Sequence, residues 1–78
     1  MATQELFPGI ISSTGRLGGE AFIKGTRVPV ALVLGKLAGG MKLEELLDEF
    51  DLTEEQVRVA LAYAEHLVEA RDQYVSPT

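Results

Sequence analysis

The stretch that most limits what this chain can fold into is Gly18-Gly19-Glu20-Ala21-Phe22-Ile23-Lys24-Gly25-Thr26-Arg27-Val28-Pro29-Val30. Glycine gives backbone freedom, proline fixes φ, and large apolar side chains demand burial. Packed this closely, they describe a tightly built turn and not a linker. Ala21-Phe22-Ile23 and Thr26-Arg27-Val28 flank Lys24-Gly25, which reads as a hairpin with Gly at the position needing positive φ. Pro29 then suits the first position of a helix, where no N–H is required.

Three helices are expected after it. Val30, Val33, Leu34 and Leu37 recur at helical spacing and give a helix over about 29–38. Gly39-Gly40 ends it, one glycine taking the left-handed C′ position. Leu43, Leu46, Leu47 and Phe50 repeat the pattern over 43–50, with Glu44, Glu45, Asp48 and Glu49 on the other face. Thr53 is an N-cap for a third helix over 54–74. Gln56 completes a capping box, and Leu52 with Val57 forms a hydrophobic staple.

The third helix carries two apolar stripes. Val57, Ala60, Leu61, Ala64 and Val68 are expected to face the core. Val59, Tyr63, Leu67, Ala70 and Tyr74 form the second stripe, from which Val59, Tyr63, Leu67 and Tyr74 are candidates for an oligomer interface. The competing reading has Tyr63 and Leu67 merely bordering the core. The last two helices are joined by Asp51-Leu52-Thr53, so they form a helix-turn-helix candidate. Ahead of these elements, residues 1–9 read as a loose arm, and Ile10-Ile11-Ser12 as a short strand ending in a turn at Ser13-Thr14-Gly15. The organisation expected is therefore mainly α: a short β-hairpin region over about 10–28, a three-helix bundle, one domain over 10–75 and a tail at 76–78.

At 78 residues without cysteine, the chain has neither disulfides nor thiolate metal sites to staple it. A hydrophobic content of 46% is high for that size and favours a dimer or larger assembly. No apolar run reaches the ~20 residues that span a bilayer, and the N-terminus lacks a signal-peptide pattern. A cytoplasmic location is expected. Net charge is −5, but unevenly spread. Residues 1–42 hold five Lys and Arg against two acids, whereas residues 43–78 hold two Arg against ten acids. The acids are read first as solvated helix faces; the sharper reading is that the first half offers a positive surface to an anionic partner.

Little catalytic chemistry is available. His66 is the only histidine, so Ser-His-Asp and Cys-His arrangements are impossible or reduced to that residue. The acids Glu44, Glu45, Asp48 and Glu49 are expected to face solvent and not to hold a metal. Gly35-Lys36 is followed by Leu37 and no Gly stands five residues before it, so no phosphate loop exists, and no G-x-G-x-x-G occurs. Enzymatic activity and a cofactor are not expected. For DNA, Gln56 and Arg58 at the front of the third helix are candidates for base contacts, with Lys42 and Lys36 for phosphates. Glu54 and Glu55 there would repel the backbone.

The residues Gly18, Gly19, Ile23, Gly25, Thr26, Arg27, Val28, Pro29 and Val30, then Gly40-Met41, then Leu52-Thr53-Glu54-Glu55-Gln56-Val57, resemble the bacterial family called domain of unknown function 433. The likeness covers about residues 8–70. The chain departs from the family pattern at Ala21 (Pro is usual), at Phe50-Asp51 (a Pro before Leu-Thr is missing) and at Lys42 (Ser is common). The resemblance implies a homeodomain-like helical core. It also implies an antitoxin-like protein that binds a PIN-like ribonuclease in the manner of VapB antitoxins, and its own operator in addition. A guanidinium fork matches the carboxylates of such a metal-dependent nuclease. Arg27, then Arg16, then Arg71 are the candidates, with Lys24 beside them. The competing reading of Arg27 is that it ties down the hairpin. Two alternatives stand beside the antitoxin reading: a dimeric helix-turn-helix regulator, and a structural or interaction dimer without nucleic-acid binding.

Overall fold

The computed structural model describes the backbone of residues 3–13 and 20–74, and the side chains of residues 4–12 and 20–71. The element order is β1 (Thr3–Phe7), β2 (Ile10–Ser13), β3 (Ala21–Ile23), α1 (Val30–Ala38), α2 (Leu43–Phe50) and α3 (Glu54–Tyr74). The chain is mainly α, with the small antiparallel sheet at its N-terminal end in the order β1-β2-β3.

The arm expected over residues 1–9 is instead largely an edge strand. Pro8-Gly9 turns the chain between Phe7 and Ile10, which pair directly, and Gly9 adopts φ +92°. Glu5 closes this turn, its carboxylate accepting the Gly9 N–H at 3.0 Å. The register slips between Glu5 and Phe7, so Leu6 is bulged out and half exposed. β2 then pairs with β3, Ile10 opposite Ile23. The turn read at Ser13-Thr14-Gly15 lies largely outside the described residues, as do Gly18 and Gly19.

Every element except β1 contributes to one buried core. Ile10, Ile23, Val33 and Leu46 are fully enclosed, and Val30, Leu52, Val57 and Ala60 complete it. Each large aliphatic side chain so buried stabilises the fold by about 1.5–3 kcal/mol. β1 adds Phe7, half-buried against the same cluster. α3 packs on α1, β2 and β3. The helix ends match their sequence cues. Gly40, at φ +103°, closes α1 with bonds from Gly40 N–H to Leu37 C=O and from Met41 N–H to Lys36 C=O, a Schellman pair. Thr53 and Gln56 exchange two bonds, of 2.9 and 3.1 Å, so the capping box of α3 is complete. At α2, lysine cannot supply a side-chain acceptor. Only Glu45 acts there, accepting the Lys42 N–H at 3.1 Å. The α2–α3 joint turns on Asp51, which holds the left-handed conformation at φ 55° and ψ 47°.

Two expectations about the helices change. Pro29 is the N-cap of α1, extended at ψ 144° and bridged to Phe22, and the helix begins at Val30. The stripe of α3 expected to face the core does so only at Val57 and Ala60; Leu61 is 44% and Val68 59% exposed. The sheet causes this. It packs beside α3, and Val59 and Tyr63 from the second stripe lie against the core while Leu61 and Val68 of the first turn outward.

Candidate functional site

The turn from Ile23 to Val30 is built almost wholly from structural parts. Gly25 takes φ +84°, which an L side chain rarely adopts. The Thr26 hydroxyl donates to the Ile23 carbonyl at 2.8 Å and accepts the Val28 N–H at 3.0 Å, stitching both sides of the turn. Backbone bonds from Ile23 N–H to Val28 C=O and from Lys24 N–H to Gly9 C=O seat it against the β1–β2 hairpin. Val28 packs against the core, Pro29 caps α1, and Val30 is buried.

Arg27 stands apart in this run. Its neighbours face inward, so strand-like alternation turns its side chain out to solvent. Among the described residues it makes no ion pair and no side-chain hydrogen bond. With Ile11, Phe22 and Thr26 it borders a surface recess of about 410 Å³. An unpaired guanidinium beside apolar walls suits a partner that presents a carboxylate next to an apolar contact.

The other partner-binding candidates are placed differently. Lys24 sits in the same turn but lies 3.8 Å from the Glu5 carboxylate, an exposed pair of small energy. Arg16 lies outside the described residues. Arg71 is exposed near the end of α3, beyond Tyr63, the last residue of that helix packed against the core.

The DNA-reading candidates do not form one basic surface. Gln56 is half-buried, and its carbonyl oxygen is held by the Thr53 N–H. Arg58 pairs with Glu55 at 3.3 Å. Lys36 and Lys42 are exposed, and Lys36 stands in the last turn of α1, where the helix dipole favours a cation. Around Lys42 the neighbouring recess is lined by Leu43, Glu44, Leu47 and Glu54, so its rim is of mixed charge and not basic.

The oligomer-interface candidates divide as well. Val59 and Tyr63 are half-buried within the chain, and the Tyr63 ring lies 5.6 Å from that of Phe7, centroid to centroid. They are therefore intramolecular contacts in the first instance. Leu67 is 51% exposed, and the side chain of Tyr74 lies outside the described residues. His66, next along that face, lies beside Phe7, the ring centroids 5.5 Å apart and the planes tilted by 36°. Sequence reading missed Phe7 and the strand that carries it. The available signal was Pro8-Gly9, a turn dipeptide between two apolar pairs.

The family model described as "Protein of unknown function (DUF433)" matches residues 10–64. The chain belongs to this family. The matched span of this DUF433 chain runs from β2 through the core-packed part of α3 and contains the whole Ile23–Val30 turn. It is also similar to "Uncharacterized protein y4eO" of Sinorhizobium fredii, at 40% identity over 57 residues. That match covers 72% of this chain and 26% of the relative, so the chain spans about a quarter of the protein it resembles. No solved structure matches the DUF433 chain. Among its described residues, no group of three or more His, Asp or Glu is arranged to hold a metal ion, and no helix is long and apolar enough to cross a membrane.

Proposed function

We propose that this DUF433 protein is an antitoxin-like binding module whose partner is a PIN-like ribonuclease, with Arg27 as the residue that enters the nuclease's acidic site. One observation supports the reading above all. In the Gly25–Val30 run every residue but Arg27 has a structural task, and Arg27 is exposed, unpaired and next to an apolar recess. A guanidinium brought among metal-binding carboxylates pairs with them bidentately and competes with the ion. Arg16 and Lys24 add to the positive charge of the first half, and the protein acts in the cytoplasm, where such a nuclease works.

Operator binding through α3 is the weaker reading. Gln56 is held in the capping box by Thr53, and Glu54 and Glu55 are exposed at the start of the helix, where they repel phosphates. If DNA is bound, the nuclease partner supplies much of the positive surface.

The test is co-expression with the product of the adjacent reading frame, provided it carries a spaced set of Asp residues suited to Mg²⁺. The wild-type chain suppresses RNA cleavage. Arg27→Ala weakens binding by ~30-fold or more, because it leaves carboxylates buried and unpaired. The melting temperature should stay the same, since among the described residues Arg27 makes no ion pair or side-chain hydrogen bond. If Arg27→Ala combined with Arg16→Ala still inhibits fully, the proposed mechanism is wrong.

A further inference from the structure

We propose that two copies of this chain associate through antiparallel α3 helices, using the face of Leu61, Ala64 and Val68 and not the face of Val59 and Tyr63. The first observation is that α3 outruns the body of the protein. Residues 65–71 are all exposed, with the ring of His66 beside Phe7, yet they include Leu67 and Val68, at 51% and 59% exposure. A helical extension with so little tertiary packing is marginal in water.

The second observation is that the helix carries a matching recess. Leu37 and Leu43 from α1 and α2, with Glu54, Val57, Arg58 and Leu61 from α3, line an almost wholly apolar groove of about 270 Å³. Val57 and Val68 are eleven residues apart, so they lie about 16 Å apart along the axis and within about 20° of the same face. Groove and protruding apolar end therefore share one stripe. A two-fold axis places each end in the other copy's groove, which is the self-complementarity a closed dimer requires. Ala64 between them is small enough to let the helices approach.

Charge fixes the register. Arg58 and Glu65 stand on the same flank of this stripe, seven residues apart. Antiparallel pairing centred near residue 62 brings Glu65 level with the second copy's residue 59, beside its Arg58. The two-fold axis makes this pair twice. Among the described residues Arg58 pairs only with Glu55, in an exposed contact that is easily exchanged. The occupant of the groove is thus a second copy, not an unrelated apolar helix.

Sedimentation equilibrium on the intact chain tests this. The expected result is a species of twice 8.4 kDa, whose dissociation constant Val68→Asp raises at least about 10-fold, since a symmetric interface loses the contact twice. Arg58→Glu weakens the dimer, and combining it with Glu65→Arg restores it. The chain has no cysteine, so single-cysteine variants report register directly. Leu61→Cys forms a disulfide-linked dimer, whereas Val68→Cys, ~18 Å from its copy in this register, does not. A monomer at all concentrations overturns the proposal. A dimer indifferent to Val68→Asp, or cross-linked through Leu6→Cys on β1, also overturns it by assigning the interface to the sheet edge.

Discussion

Gly9→Ala is the sharpest probe of how the sheet and α3 are held together. Gly9 has φ +92°, and a Cβ built there would lie 2.8 Å from Cγ1 of Val59. Two costs follow. The left-handed backbone charges an L residue about 1–2 kcal/mol. The collision with Val59 is overpacking at a closed contact, worth about 1–3 kcal/mol more. Together they reach about 2–5 kcal/mol, against a total stability of roughly 4–12 kcal/mol for a domain of this size. Gly25→Ala separates the two costs. Gly25 has φ +84° but nothing within 4 Å of the added carbon, so only the backbone term applies. Thermal and urea denaturation of the two variants should therefore differ by the collision alone. At about 4–8 °C per kcal/mol for a domain this small, that gap is readily measured. Adding Val59→Ala to Gly9→Ala relieves the clash, and the double-mutant cycle gives a coupling of about 1 kcal/mol or more. If Gly9→Ala and Gly25→Ala destabilise equally and the cycle shows no coupling, the β1–β2 turn does not press on α3 as described.

Thr53→Ala removes the hydroxyl that accepts the Gln56 N–H and costs about 1 kcal/mol by chemical denaturation, while Thr53→Ser keeps most of it. An unchanged midpoint for Thr53→Ala would mean that the capping box is not formed in solution. Tyr63→Glu places a charge beside Phe7 and the core, so it lowers the melting temperature by several degrees without selectively shifting the mass in solution. A stable monomer from Tyr63→Glu would return the oligomer interface to the second stripe.

Local signals were legible wherever a few neighbouring residues settle the outcome. Gly40 closing α1, Thr53 and Gln56 capping α3, and Gly25 turning the chain are all short-range geometry, and each stands where the residues imply. The Gly25–Val30 run was readable as a structural signature for the same reason, but Arg27 could not be singled out from it. Only the folded turn shows that Thr26, Val28 and Pro29 hold it closed without help from the guanidinium, so the idea that Arg27 ties down the hairpin loses its support.

The choice between the two stripes of α3 was a different kind of question. Helical periodicity gives two apolar faces and no rule for which one is covered, because that depends on what packs beside them. The Pro8-Gly9 turn folds β1 back onto β2, Phe7 reaches Tyr63 and His66, and Gly9 leaves just enough room for Val59. Sequence alone therefore determined the helices, the caps at Gly40 and Thr53 and the turn that launches them, since these depend on backbone preference and bonds a few residues long. Tertiary structure alone decided which face of α3 the sheet covers, and so which apolar side chains remain exposed, because burial is a contest between elements distant in the chain.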